Sequence, residues 1–74
     1  MRFIALTRRN FPQGHIAVDY DHIIAMEDNR FNTNNEDYAW TNVWLSNGVK
    51  FEVLETEKEI LDMIWIEEQR IKNN

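Results

Sequence analysis

Hydrophobic and polar residues alternate along several short stretches of the chain, and a period of two predicts β-strands. In the first stretch Ile4 and Leu6 share one face of a strand, while Phe3 and Ala5 take the other. Residues 8–14 hold the only proline and one of the two glycines, which predicts a turn. Such patterns predict five strands, at about residues 2–7, 15–18, 22–27, 40–45 and 49–54.

The third predicted strand contains two adjacent isoleucines, Ile23 and Ile24, which interrupt its alternation. An inserted residue of this kind is typical of a β-bulge. The next segment, residues 28–37, holds four asparagines in ten residues. Its polarity predicts a mobile loop that does not pack against the rest of the protein.

The last two strands form a predicted hairpin whose register follows from its apolar positions. A two-residue turn would place Val43 opposite Glu52 and mix apolar with charged side chains on one face. A three-residue loop, residues 46–48, with Gly48 in the left-handed conformation, instead pairs Val43 with Phe51. We therefore expect one buried face, formed by Val43, Leu45, Val49 and Phe51. The opposite face then carries two tryptophans among polar residues, in the set Trp40, Asn42, Trp44, Lys50, Glu52 and Leu54.

The carboxyl-terminal segment predicts a helix over residues 57–72. Thr56 and Glu59 have the spacing of a capping box, which marks the start of a helix. At 100° per residue one apolar stripe should cover the sheet, with Trp65 at its border; its members are Ile60, Leu61, Ile64 and Ile71. Met63 and Ile66 fall outside that stripe and indicate a second contact surface.

These elements predict a single α+β domain over residues 1–74. We expect a small antiparallel sheet of four or five strands, strongly curved or barrel-like, with one helix on one face. A chain of 74 residues buries only about 60% of its unfolded surface on folding. Self-association is therefore a natural source of additional burial.

Charge and composition exclude several classes of function. The net charge of −5 disfavours nucleic acid as a partner, because phosphate binding depends on lysine and arginine. The chain has no cysteine, which excludes disulfides and cysteine-based zinc sites and fits a reducing cytoplasm. No apolar run reaches the length of a membrane span, and the amino terminus lacks the pattern of a signal peptide. We expect a cytoplasmic protein.

Two histidines and two aspartates lie near one another in the sequence: His15, Asp19, Asp21 and His22. These residue types bind divalent metals. The alternation of a strand places His15 and Asp19 on one side, and a polar step separates them from His22, so a solvated turn is the better interpretation. No phosphate-binding loop or nucleophile motif is present. We therefore expect neither a cofactor nor an enzymatic activity.

Three motifs resemble the FlbD-type small flagellar proteins, also called SwrD. They are I-x-L-T-R-x-N at residues 4–10, V-D-Y-D-x-I at residues 18–23, and V-x-L-S-N-G-x-x-F-x-V followed by E-T-x-x-E-I at residues 43–60. The resemblance covers most of the chain, and the asparagine-rich segment 28–37 departs from it. It implies a cytoplasmic, non-enzymatic protein that is connected with motility and acts by protein contact.

Under that interpretation self-association and an unidentified protein partner would use residues of the tryptophan-bearing face and the helix. The expected interaction residues are Trp40, Trp44, Lys50, Met63, Trp65 and Ile66.

Two alternatives remain open. The run Leu6 to Arg9 is similar to the start of CsrA-type RNA-binding regulators, but the segment 54–60 is acidic where that family needs a basic surface. A phage or mobile-element protein that inhibits a host protein or sequesters a small nucleotide is the second alternative. Its ligand would stack on an aromatic ring while guanidinium groups bind its phosphates. The candidate residues are Arg8, Arg9, Asn10 and Trp44, with Trp40 beside them.

Overall fold

The computed structural model describes residues 2–73. A 3₁₀ turn at Tyr20–His22 separates the second strand from the third. In chain order the strands and the helix are β1 (Phe3–Thr7), β2 (His15–Asp19), β3 (Ile23–Thr33), β4 (Glu36–Leu45), β5 (Lys50–Val53) and α1 (Glu57–Lys72). The protein is α+β, as the sequence predicts.

The strands form two antiparallel sheets, β1–β2 and β3–β4–β5. An isolated bridge between Arg8 and Val53 joins them. Beside this bridge the amide of Arg9 donates to the carbonyl of Glu52 at 2.9 Å, and the amide of Leu54 donates to the carbonyl of Thr7 at 2.9 Å. The two sheets therefore curve into one another along β1 and β5, and over residues 2–73 they do not close into a barrel.

The hydrophobic core lies between the concave side of these sheets and α1. Ile60 of the helix is fully buried against residues of both sheets, including Leu6, Val43 and Val53. The remaining buried apolar residues are Ile4, Val18 and Tyr20. Burial of the even-numbered residues of β1 follows directly from the alternation in its sequence.

The predicted register of the β4–β5 hairpin is confirmed. Val43 pairs with Phe51, the amide of Leu45 donates to the carbonyl of Val49 at 2.9 Å, and Gly48 has a φ of 89°. The expected burial of Val49 is wrong, since 41% of this residue is exposed. It borders the exposed loop 46–48 at the end of the hairpin.

The prediction of a mobile loop over residues 28–37 is also wrong. This segment belongs to a long hairpin in which β3 and β4 pair without interruption from Ala25 with Trp44 to Thr33 with Glu36. Asn34 and Asn35 form its two-residue turn, with φ values of 55° and 63°. Positive φ at both turn residues matches the twist of the flanking strands, and asparagine tolerates this conformation. The predicted bulge is present as a register shift between Ile23 and Ala25.

The helix occupies its predicted range, and the capping box of Thr56 and Glu59 is formed. Its buried stripe is rotated from the predicted one. Met63, expected outside the stripe, packs against the core, whereas Leu61, expected within it, is 50% exposed. Two side chains hold the helix in this rotation. Asp28 of β3 binds its first turn, and Tyr20 of the 3₁₀ turn binds Glu68 in its second half.

Candidate interaction surface

The face of the β3–β4–β5 sheet turned away from α1 carries four of the five aromatic residues of that sheet. We call it the outer face. Cross-strand pairing places on it Ala25, Glu27, Asn29, Phe31, Tyr38, Trp40, Asn42, Trp44, Lys50 and Glu52. The opposite face of the same strands supplies Val43 and Val53 to the core. The helix covers only that inner face, so the outer-face rings have no covering layer within residues 2–73.

Trp40 lies at the centre of the outer face and is in contact with Arg9. The guanidinium carbon of Arg9 is 3.7 Å from the centre of the Trp40 ring, and its Nη1 donates to Glu52 at 3.0 Å. The Trp40 indole N–H donates to the Asn42 side chain at 3.1 Å. This geometry is a cation–π contact combined with an ion pair. Trp40 and Arg9 are therefore half-buried and bound to each other.

A polar network surrounds this contact. The side-chain amide of Asn42 donates to Glu27 at 3.2 Å, and Lys50 approaches Glu52 at 3.7 Å. Glu52 thus contacts two cations, Arg9 from the segment that follows β1 and Lys50 from its own strand β5. Trp44 is half-buried between its cross-strand neighbours Ala25 and Lys50.

The distal half of the β3–β4 hairpin, residues 30–39, is exposed at every position. We call it the arm. At about 3.3 Å per residue its strands extend roughly 15 Å beyond the half-buried residues at its base. On the outer face the ring of Phe31 stacks on that of Tyr38 with centres 5.2 Å apart, and it meets Trp40 edge-on at 5.4 Å. The arm therefore continues the aromatic surface away from the core.

The Tyr38 hydroxyl donates to the Glu36 carboxylate at 2.7 Å, and this hydrogen bond raises the pKa of Tyr38. Phe31 remains 48% exposed and Tyr38 38% exposed. The sequence pattern places Phe31 in the predicted loop 28–37 and Tyr38 between that loop and the predicted strand 40–45, so neither was expected on the surface. The signal in the sequence that could have predicted this hairpin is the alternation of aromatic and polar residues on either side of Asn34-Asn35. Asparagine at both turn positions is compatible with positive φ.

The expected interaction residues are divided between two sides of the molecule. Trp40, Trp44 and Lys50 share the outer face. Trp65 and Ile66 lie on α1, where they are 64% and 62% exposed. Met63 belongs to the core. The structure therefore does not bring these residues together into a single site.

The alternative ligand residues are also divided. Arg9 is engaged by Trp40 and Glu52 on the outer face. Arg8 is near Phe51 instead, with its guanidinium carbon 6.0 Å from the centre of the Phe51 ring. An open cleft of about 390 Å³ includes Arg8 but not Trp44, and its lining is Arg8, Asn10, Phe11, Lys50, Phe51 and Glu52.

The two histidines are placed apart. His15 lies in β2, with Nδ1 3.5 Å from the Thr7 hydroxyl, and His22 lies in the 3₁₀ turn, with Nδ1 3.0 Å from the Ser46 hydroxyl. His22 Nε2 is 3.7 Å from Asp19. In residues 2–73 no three histidine or acidic side chains converge as they would around a metal ion.

Asp28 is a residue whose role the sequence interpretation missed. Its Oδ1 accepts a hydrogen bond from the Thr41 hydroxyl at 2.8 Å and another from the amide of Glu57 at 2.9 Å. The second of these groups is in the first turn of α1, where backbone amides lack partners within the helix. Asp28 thus links the β3–β4 hairpin to the start of the helix.

The second half of α1 is held by Glu68. Its carboxylate accepts from the Tyr20 hydroxyl at 2.8 Å and from Arg2 at 3.2 Å. Burial, followed by the hydrogen bond to the negatively charged Glu68, raises the pKa of Tyr20 to about 12. Together with Asp28, this contact fixes which side of the helix faces the sheets.

Within residues 2–73 no helix combines the length and apolarity that a membrane crossing requires. The chain matches no known protein family, no curated protein and no solved structure.

Proposed function

We propose that this chain is a non-enzymatic interaction protein of the FlbD type that acts through self-association and protein contact. The observation that supports the proposal is the aromatic outer face, which no helix or strand covers within residues 2–73. Its tryptophans, Trp40 and Trp44, are half-buried, and Phe31 and Tyr38 of the arm are exposed. Large aromatic side chains next to charged residues are characteristic of binding hot spots. Lys50 and Glu52 supply such charges beside Trp44.

The motility part of the proposal rests on the sequence motifs. Segment 4–10 begins in β1, and segment 18–23 runs from the end of β2 through the 3₁₀ turn to the start of β3. Segment 43–60 spans the β4–β5 hairpin and the capped start of α1. The residues that carry the resemblance therefore include buried residues of both sheets and of α1, such as Leu6, Val43 and Ile60. Most of the arm falls within the segment 28–37, which departs from the resemblance. We propose that the arm adds a contact surface to an FlbD-type body.

Complementation tests this proposal. A flagellated bacterium that lacks its own FlbD-type gene would receive the wild-type chain, a Trp44→Ala variant or an Arg8→Ala variant, with swimming speed as the readout. We expect wild type and Arg8→Ala to restore motility and Trp44→Ala to fail, since truncating a hot-spot tryptophan typically costs more than about 2 kcal/mol of binding. Circular dichroism of the purified variants checks that each remains folded. Failure of the folded wild-type protein to restore motility would contradict the FlbD-type role.

A second candidate function is supported by the cleft. Arg8 lies over the ring of Phe51, and Lys50 and Asn10 line the same cleft. Cations next to an aromatic ring suit an anionic ligand with a planar base. Thermal melting with a panel of mono-, di- and cyclic nucleotides tests this function. A ligand present at 100 times its dissociation constant stabilises by about 2.7 kcal/mol, and Arg8→Ala should remove that shift. An unchanged melting temperature with every nucleotide would contradict it.

A further inference from the structure

The edge of β3 that does not pair with β4 is a second candidate binding surface, and it consists of backbone groups and not of the side chains of the outer face. β3 has 11 residues and pairs with β4 along one edge, while its other edge has no strand partner in residues 2–73. An unpaired strand edge presents backbone donors and acceptors to any strand that approaches it. In the arm, residues 30–33 of this edge lie beyond the core, with both faces exposed.

The hairpin turn decides which backbone groups of this edge are free. Asn34 and Asn35 form a two-residue loop, so their neighbours Thr33 and Glu36 form a hydrogen-bonded pair across the hairpin. Alternate residues along an antiparallel strand then point their backbone groups to opposite edges. The backbone N–H and C=O groups of Arg30 and Asn32 consequently point outward, away from β4.

We propose that the occupant of this edge is a second copy of the same chain, bound by antiparallel pairing of the two arms about a two-fold axis. The proposal rests on the self-association in the proposed function and names its surface. A two-fold axis perpendicular to the sheet pairs one residue of β3 with itself, and all other pairs follow from that choice. Of the possible choices, pairing Phe31 with itself gives the most favourable contacts between the charged and aromatic side chains of the two arms.

With Phe31 opposite Phe31, Arg30 of each copy lies opposite Asn32 of the other. These are the residues with outward backbone groups, so each pair exchanges both hydrogen bonds. Phe31 then occupies a position without such bonds, where opposing side chains lie closest together. The Phe31 rings of the two copies meet, and the stacked Phe31–Tyr38 pair of one arm continues into that of the other.

Charge complementarity supports this register. Arg30 takes part in none of the ion pairs of residues 2–73. In the dimer it lies beside Asn32 of the second copy, whose amide donates to Asp37 at 2.7 Å within its own arm. The cation of each copy is thereby brought towards the Asp37 carboxylate of the other.

The neighbouring registers are less favourable. Pairing about Arg30 places two arginines directly opposite each other, and like charges in that position destabilise a sheet. Pairing about Asn29 places Glu27 opposite Phe31, a carboxylate against a ring, and moves the contact towards α1. Pairing about Asn32 sets the turn residues opposite the strand and shortens the ladder. The short contact that remains, centred on Phe31, predicts a weak dimer that dissociates on dilution.

Cysteine cross-linking tests the register directly, because the chain has no cysteine of its own. In a Phe31→Cys variant the two introduced thiols lie within the range of a disulfide across the two-fold axis. The matched control is Tyr38→Cys, on the same face but one strand further from the axis. Its thiols lie three strand spacings apart, about 14 Å. We expect Phe31→Cys to form covalent dimers under mild oxidation at least tenfold faster than Tyr38→Cys.

Sedimentation velocity over a hundredfold range of concentration provides the second measurement. We expect wild type to shift from monomer to dimer and Asn32→Pro to remain monomeric, since proline removes an outward N–H that β4 does not use. The helix variant Ile66→Asp should dimerise like wild type. Circular dichroism establishes that all three are folded.

A dimer that withstands Asn32→Pro but is lost in Ile66→Asp would overturn the arm-to-arm contact and leave self-association in place. Equal cross-linking rates for the two cysteine variants would also overturn it. Wild-type protein that stays monomeric throughout, with no Phe31→Cys cross-link, would remove self-association. The motility assay with Trp44→Ala is independent of that outcome, and it would still decide whether the outer face binds another protein.

Discussion

The Arg9 guanidinium carbon lies 3.7 Å from the centre of the Trp40 ring, and the same guanidinium donates to Glu52 at 3.0 Å. Arg9 follows β1, whereas Trp40 and Glu52 belong to the other sheet. The contact therefore joins the two sheets on the outer face, just as the Arg8–Val53 bridge joins their backbones. It also explains why Arg9 is poorly suited to bind the phosphate of a ligand.

A double-mutant cycle should measure this contact. We expect Arg9→Ala and Trp40→Ala to be coupled by roughly 0.5–2 kcal/mol in urea unfolding, because the cation and the ring stabilise each other. A cycle of Arg8→Ala with Trp40→Ala is the matched control and should give a coupling near zero, since Arg8 lies over Phe51. Equal coupling in the two cycles would contradict the assignment of Arg9 to Trp40.

Removal of the Asp28 carboxylate should loosen the start of α1. We expect Asp28→Ala to cost about 1–2 kcal/mol of unfolding free energy, because it leaves the buried Thr41 hydroxyl and the Glu57 amide without their acceptor. Asp28→Asn keeps one side-chain oxygen and should cost less. Chemical denaturation measures both. Asp62→Ala on the exposed side of the helix should change stability by less than about 0.5 kcal/mol, and a similar loss in that variant would argue against a specific role for Asp28.

The periodicity of α1 predicts Ile60 and Leu61 in one buried stripe, yet only Ile60 is buried. We expect Ile60→Ala to cost roughly 2–5 kcal/mol, the range for a large aliphatic side chain removed from a core. Leu61→Ala should cost far less, since half of Leu61 is already exposed. Thermal unfolding of the two variants gives the comparison. Comparable losses would mean that the helix packs in the rotation that the sequence pattern predicts.

Tyr20 should make the protein less stable at alkaline pH. Its pKa is raised from 10.0 to about 12 by burial and by the hydrogen bond to Glu68. In the unfolded chain Tyr20 loses its proton near pH 10, so its contribution is complete below pH 10 and is lost as the pH rises towards 12. We expect the difference in melting temperature between wild type and Tyr20→Phe to be largest below pH 10 and to shrink above it. A difference independent of pH from 8 to 12 would contradict this linkage.

Local sequence patterns were sufficient wherever one short segment decides the structure. The alternation of Ile4 and Leu6, the capping box of Thr56 and Glu59, and the loop ending in Gly48 each depend on residues within a few positions of one another. The pairing of Val43 with Phe51 also followed, because only that register keeps one face apolar. The α+β class is the sum of these local decisions.

The prediction for residues 28–37 was wrong because it relied on the polar composition of the segment and not on strand pairing. Residues 28–37 are polar because the arm is exposed on both faces, and polarity alone does not distinguish such a hairpin from a loop. Its strand character comes from pairing between β3 and β4 around Asn34-Asn35. The aromatic pair of Phe31 and Tyr38 exists only as a result of that pairing, so no local pattern could place the two rings in contact.

By itself the amino-acid sequence determined the strands and the helix outside the arm, the register of the β4–β5 hairpin, and the charge and aromatic content of the chain. The tertiary structure alone decided the rotation of α1, the contact of Arg9 with Trp40 and the attachment of Asp28 to the helix. These features join residues 29 to 66 positions apart. Hydrophobic periodicity repeats every two to four residues and specifies which residues are apolar, whereas the partner of each side chain depends on how whole elements pack.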